Sequence, residues 1–172
     1  MTRSPVYLAI ALTLANAPGH CAKSGANQSA SSAGGSSGSS GATWSSLGAT
    51  ACAKYLTPDV TGALLTDPPG PAKTLSRQAC ALDGAGGNIS ITLIDDGAAG
   101  FDAFSKNLVD AHPISGIGDK ALQHATGIAA FKAPSKVCTI DAGGAPGFLK
   151  QSGEQLGQSL GAVCNKLFAA TP

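Results

Sequence analysis

The sequence lacks an excess of charge of either sign. Its 172 residues include 11 Lys and Arg and 10 Asp and Glu, and the net charge is +1 at pH 7. Binding to nucleic acid or to acidic lipid needs a cluster of basic residues that replaces the counter-ions of the phosphates. Residues 44–172 instead contain 9 basic and 10 acidic residues. The composition therefore predicts no nucleic-acid partner.

Metal-ligand spacings and catalytic signatures are also missing. The five cysteines form no C-x-x-C pair, and His20, His112 and His124 form no H-x-x-x-H or H-E-x-x-H pattern, so the sequence predicts no metal site. The GIG segment at 116–118 is not followed by the Lys and Ser/Thr of a phosphate loop. Residues 34–38 spell G-x-S-x-G, but their Ser/Gly-rich surroundings exclude the strand and helix of a nucleophile elbow. We predict no catalytic residue and no cofactor.

No apolar run is long enough to cross a bilayer as a helix, which takes about 20 residues. Ten apolar residues, Val6–Ala15, follow the basic Arg3, and this arrangement is typical of a signal peptide over residues 1–20. Two processing sites remain open. The A-x-A pattern at 15–17 predicts a secreted soluble protein, whereas cleavage before Cys21 resembles a bacterial lipoprotein signal and predicts a lipid (palmitate-type) anchor on Cys21.

Residues 21–43 predict a flexible tether that begins at this cysteine. The 22 residues after Cys21 include eight Ser, five Gly and five Ala, a composition that buries too little apolar area to offset the entropy of ordering. A coil of this length has an r.m.s. span of roughly 25 Å and a stretched reach of about 75 Å. The tether would then hold domain 44–172 close to a membrane while leaving it free to move.

The other four cysteines predict two disulfide bonds in domain 44–172, because an exported protein lies in an oxidising compartment. Each falls on an apolar face of a predicted helix (Cys52, Cys164) or strand (Cys80, Cys138). Three pairings are possible. We favour Cys52–Cys80 with Cys138–Cys164, since each bond joins a helix to a strand close in sequence; Cys52–Cys164 with Cys80–Cys138 and four buried free thiols remain alternatives.

The hydrophobic pattern predicts an α+β fold with a single antiparallel sheet of about five strands and helices packed on one face. The predicted order is two N-terminal helices, a β-hairpin, a helix, a three-strand meander and a C-terminal helix. In residue numbers these elements are 47–56, 58–65, 77–84, 88–95, 101–112, 118–124, 127–132, 136–141 and 148–168. In the third helix, Phe101, Phe104, Leu108 and Val109 are expected to face inward.

Several single residues have structural interpretations as well as functional ones. Asp95 and Asp96 are adjacent and followed by Gly97, which is typical of a turn. Asp119 follows two glycines and is expected to orient a loop, with ligand contact as the alternative. His112 and His124 are expected at the surface or at element ends. Trp44 is expected to pack over the core, with an exposed contact as the alternative.

The stretch CAKYLTPDVTGALL (52–65), the cysteine in QACALDG (78–84) and the GIGD segment followed by Ala121 resemble a group of small bacterial envelope lipoproteins of unknown function. The LpqN-type lipoproteins, with a fold like that of PsbP and Mog1, belong to this neighbourhood. The resemblance covers about residues 50–168. It implies an envelope location facing the periplasm or exterior, an α+β sandwich and no enzymatic activity.

The sequence therefore predicts an exported envelope protein, anchored in the membrane by lipid on Cys21, that presents a non-enzymatic binding surface. An unknown protein or a small apolar ligand is the expected partner. A small periplasmic or extracellular enzyme, such as a hydrolase without a recognisable motif, remains the alternative from another class.

Overall fold

The computed structural model describes residues 42–172. The predicted signal peptide 1–20, Cys21 and the predicted tether up to residue 41 lie outside the described residues. Within them the chain has the predicted α+β architecture, with one antiparallel sheet of seven strands and four α-helices.

The elements follow the predicted order. A 3-10 turn, Trp44–Leu47, runs directly into the first helix. The α-helices are α1 (Gly48–Tyr55), α2 (Pro58–Leu64), α3 (Ala98–Ser105) and α4 (Gly153–Phe168). The strands are β1 (Lys73–Thr74), β2 (Ala79–Gly84), β3 (Gly87–Asp95), β4 (His112–Pro113), β5 (Lys120–His124), β6 (Gly127–Lys132) and β7 (Lys136–Gly144).

The sheet consists of two meanders joined along its centre. Its spatial order is β1-β2-β3-β7-β6-β5-β4, and β3 pairs with β7 over nine residues, from Gly87 opposite Gly144 to Asp95 opposite Lys136. The five predicted strands are all present. The two additional strands, β1 and β4, have two residues each and lie at the edges, and a two-residue strand leaves no alternating pattern in the sequence.

One face of the sheet, the inner face, carries the main core. Alternate residues of the strands point to this face, among them Ile91, Ile128 and Ile140, which are fully buried. The helices α1 and α4 cover them, and α4 contributes a stripe that includes Leu156, Leu160 and Leu167. The apolar stripe predicted for the C-terminal helix is confirmed, although the helix begins at Gly153 rather than near residue 148.

Both favoured disulfide bonds are present on the inner face. Cys52 of α1 is bonded to Cys80 of β2, and Cys138 of β7 to Cys164 of α4. All four cysteines are at most 1% exposed. Each bond therefore fixes one helix to the sheet, as the sequence predicted.

Small residues let these helices approach the sheet closely. A Cβ on Gly48 of α1 would overlap the backbone carbonyl of Gln78, and one on Gly161 of α4 would overlap the side chain of Ile117. At Gly157 the space is taken by the side-chain amide of Gln123, whose Nε2 donates a hydrogen bond to the carbonyl of Gly153. The inner face is thus closely packed even where its residues are polar.

The opposite face, the outer face, is covered in part by α3, so the expectation that all helices pack on one face is wrong for this helix. Phe101 of α3 packs with Ala129, Phe131 and Val137 in a small separate cluster. These strand residues alternate with those of the inner core. The connection from β3 at the centre of the sheet to β4 at its edge runs along the outer face, because α1 and α4 already fill the inner one.

Trp44 packs into the core, as expected, and fixes the beginning of the described domain to its end. The ring is 5% exposed and stacks on Phe168 with 5.8 Å between ring centroids. Its Nε1 donates a 2.9 Å hydrogen bond to the carbonyl of Leu167, and the Nζ of Lys136 lies 5.5 Å from the ring centroid.

Candidate functional site

His112 and His124 differ in exposure and in contacts. His112 is exposed on β4. His124, at the end of β5, is 15% exposed and its Nε2 lies 3.2 Å from Oδ1 of Asp141 on β7. The imidazole passes over Gly127, where a Cβ would lie 2.7 Å from Nε2. The pair is thus a contact between β5 and β7 that spans β6. The sequence predicted this meander but not the register that places His124, Gly127 and Asp141 in one row.

Asp141 lies in an unfavourable place for a carboxylate. Burial raises its pKa above the ordinary value, and the charge of His124 opposes that rise. The Asp141 side chain is half exposed. Because its pKa is raised, the neutral carboxyl group stabilises the fold more than the ionised one does.

The predicted turn at Asp95 and Asp96 is wrong for Asp95, which is the last residue of β3, and Asp96 lies in the two-residue connection to α3. Oδ2 of Asp95 accepts the backbone N–H of Ser45 at 3.1 Å, which ties the end of β3 to the start of the domain. Oδ1 of Asp96 accepts the N–H of Gly97 at 2.7 Å, just before α3 begins.

Asp119 holds the loop before β5, as expected. Its Oδ1 accepts a 2.7 Å bond from Nζ of Lys132, and its Oδ2 accepts a 2.8 Å bond from the N–H of Ala133. The hydrogen bond from Lys132 and that from the Ala133 amide lower the pKa of Asp119. The carboxylate is therefore ionised and already occupied at neutral pH.

Across residues 42–172, no three His, Cys, Asp or Glu side chains come together in a way that could hold a metal ion. In the same part of the chain, none of the helices combines the length and the apolar character that a bilayer crossing requires.

An open apolar region lies beside α3. A cavity of about 440 Å³ separates α3 from the strands at the β4–β5 edge of the sheet. Its apolar walls are Phe101, Pro113, Ile114, Ala121 and Leu122. Phe101 is held in place by Phe131, whose ring centroid lies 5.9 Å away. The volume falls within the range of roughly 300–1,000 Å³ that is typical of small-molecule sites.

Charged residues line the rim of this α3 cavity, but they are paired with each other or with neighbours. Nζ of Lys120 lies 3.2 Å from Oδ1 of Asp102, and both side chains are half exposed. Asp119, also at the rim, is bound by Lys132 as described above. The rim is therefore electrically neutral and has no unpaired charge to offer a ligand.

The segment that bounds the cavity also exposes apolar side chains. Phe104 is 39% exposed and Val109 is 77% exposed, so the expectation that both face inward is wrong. The predicted helix 101–112 ends at Ser105, and Val109 lies in a turn next to Asp110, whose φ is +54°. Phe101 and Leu108 do face the sheet, as predicted, but on its outer face. The prediction missed Val109 because it continued the helix past Ser105; Phe104 lies inside α3, where it is more exposed than its spacing from Phe101 suggested.

A second cavity, of about 320 Å³, lies between α2 and β2. It is lined by Leu56, Leu65, Leu82 and the prolines of the loop after α2, and Lys150 crosses its rim to donate a 2.7 Å hydrogen bond to the carbonyl of Gly62. No large apolar side chain is exposed along α2 or the loop that follows it, and this distinguishes the second cavity from the α3 cavity.

Comparison with known proteins gave no match to this chain among family models, curated proteins or solved structures.

Proposed function

We propose that this chain is an exported envelope protein, anchored by lipid on Cys21, whose domain presents a non-enzymatic binding surface beside α3. Two buried disulfide bonds support an oxidising compartment, since such bonds persist outside the reducing cytosol. The fifth cysteine precedes a Ser/Gly/Ala-rich stretch, as a lipid attachment site at the root of a tether would.

The observation that carries the binding proposal is the combination of an apolar cavity with two exposed apolar side chains on one short segment. The α3 cavity is lined by Phe101 and Leu122, and Phe104 and Val109 are exposed nearby in sequence. An apolar cavity next to exposed apolar side chains marks an interaction site more strongly than single exposed residues do, and Phe104 directly precedes Ser105 of the cavity lining.

The anchor is tested by membrane fractionation of the protein from its native host. We expect the unaltered chain in the membrane fraction with a mass increased by a lipid, and the Cys21→Ser variant in the soluble fraction. If the Cys21→Ser variant stays with the membrane, or if the unaltered chain is soluble and begins near residue 18, the anchor is excluded and a secreted protein remains.

The binding surface is tested by site-specific photocross-linking in intact cells. A benzoylphenylalanine at Phe104 or Val109 is compared with one at Leu75, which is 62% exposed on the β1–β2 turn. We expect a discrete adduct, protein or lipid, from positions 104 and 109 and none from position 75. Equal adduct yields at all three positions, or none at any of them, contradict a binding surface beside α3.

A further inference from the structure

We infer that the α3 cavity takes an uncharged, single-chain apolar molecule, such as the acyl chain of a neutral lipid. This inference rests on the proposed binding surface and specifies its ligand class. It follows from the size of the cavity, from the charges at its rim and from the way α3 is attached.

The size of the cavity favours one chain. Its volume of about 440 Å³ lies near the lower end of the range for small-molecule sites. The walls are aromatic and aliphatic, with Phe101 on one side and Leu122 and Ile114 on the other. Removing apolar ligand surface from water against such walls is favourable, and the charged groups of the lining, Asp102, Asp119 and Lys120, are already in ion pairs.

The charges at the rim favour a neutral ligand. Lys120 is paired with Asp102, and Asp119 is paired with Lys132 and with the amide of Ala133. An anionic head group would have to displace a carboxylate from its lysine, and a cationic one would have to displace a lysine. A neutral molecule has no charge that competes with either pair.

The attachment of α3 allows a chain to enter. Phe101 is the one fully buried residue of this eight-residue helix, and neither disulfide bond reaches it. A small displacement of α3 therefore widens the cavity without opening the inner core. Phe104 adjoins Ser105, which lines the cavity, and offers an apolar surface for first contact.

The test is a titration of the full chain carrying Cys21→Ser, in which binding is measured by changes in the amide NMR chemical shifts. The probes are monodecanoylglycerol, monododecanoylglycerol, dodecanoate and dodecylammonium, each below its micelle concentration. We expect shifts centred on Phe101, Ile114 and Leu122, and an affinity that rises roughly fifteenfold for the two methylenes added between the two glycerides. Both charged chains should bind roughly threefold or more weakly than the neutral chain of the same length, because the rim charges are already paired.

Two variants locate the binding. Ser105→Trp fills the cavity from the half-buried end of α3 and should weaken the binding of monododecanoylglycerol by about tenfold or more. Leu75→Trp adds a similar bulk at an exposed site and should leave the affinity within about twofold. Equal melting temperatures of the two variants verify that both are folded.

Three results would overturn the inference: no binding of either glyceride, tighter binding of dodecanoate or dodecylammonium, or an unchanged affinity in Ser105→Trp. If positions 104 and 109 still cross-link to a protein in cells while no glyceride binds, the binding surface stands and this ligand class is wrong. If cross-linking and glyceride binding both fail, the binding surface itself is wrong.

Discussion

The two faces of the sheet are built in different ways. On the inner face, two helices are each fixed to a strand by a disulfide bond and approach the sheet over glycines. On the outer face, α3 packs through Phe101 on three buried strand residues and is fixed by no disulfide bond. The inner face therefore holds the fold together, while the outer face has a cavity and exposed apolar side chains that the fold does not need.

Side chains that only hold the fold together cannot also bind a ligand, because close packing leaves no space for it. Under the proposed function, stability and binding therefore lie on opposite sides of one sheet. Three experiments test this division.

Removal of the disulfide bonds should have the largest effect. The bonds close segments of 28 and 26 residues, and in the chain-entropy model each contributes about 3.5 kcal/mol to the free energy of unfolding. We expect Cys138→Ser with Cys164→Ser to lower the melting temperature by about 10–15 °C, as measured by calorimetry. The same pair of changes at Cys52 and Cys80 should act similarly.

Reduction of the unaltered protein is the matched measurement. With both bonds open we expect cooperative unfolding near room temperature, because about 7 kcal/mol is comparable with the whole stability of a domain. An unaltered melting temperature in reductant would mean that packing alone holds α1 and α4 on the sheet. The disulfide bonds would then not explain why the inner face is more stable than the outer one.

The second largest effect should be a difference in backbone-amide hydrogen exchange between the helices of the two faces. Amides of α4 near Leu160 and Cys164 lie over the fully buried inner core, and we expect them to exchange only with global unfolding. Amides of α3 near Phe101 should exchange through local opening, at a cost at least about 2 kcal/mol lower, because few buried contacts hold that helix. Equal protection in α3 and α4 would show that the outer face is as fixed as the inner one.

Two carboxyl groups should give the smallest effects, with opposite dependence on pH. The pKa of Asp119 is lowered by Lys132 and the Ala133 amide, so its contribution to stability is present above the pKa of the unfolded chain and is lost as pH falls through the lowered value. Burial raises the pKa of Asp141; its contribution is present below the unfolded pKa and is lost as pH rises through the raised value.

Urea unfolding at several pH values tests these signs. Asp119→Asn should be less stable than the unaltered protein at neutral pH and equal to it in acid. Asp141→Asn should be at least as stable as the unaltered protein at neutral pH, with an advantage that disappears in acid. If the free energy of unfolding of both variants changed with pH in the same way as that of the unaltered protein, both pKa shifts would be contradicted.

Much of the inner face could be predicted from the sequence. Alternation in β2, β3 and β7 placed Cys80 and Cys138 on apolar faces, and the 3.6-residue period placed Cys52 and Cys164 on the inner stripes of their helices. A cysteine on an apolar stripe has few partners within reach, and the nearest strand in sequence was the correct one in both cases.

The outer face could not be predicted in the same way. The period of a helix shows which of its sides is apolar, but not against which face of a sheet that side packs. The position of α3 depends on the path from β3 to the edge strand β4, and β4 has two residues without a pattern. The exposure of Val109 depends on where the helix ends, and no Gly or Pro marks that end at Ser105.

The pairing of Gln123 with α4 was also hidden. A glutamine on the inward side of β5 interrupts the apolar alternation, and only the three-dimensional structure shows that Gly157 leaves room for its amide. The resemblance to envelope lipoproteins stays a prediction.

The contact between Trp44 and Phe168 has a practical consequence. Because the two ends of the domain meet, a short linker would join them, and a circular permutant would open at the two-residue hairpin of Ala85 and Gly86, where φ of Gly86 is +87°. In such a permutant, the predicted tether would join the domain at the opposite end of the strands, and the domain would be presented in the inverted orientation.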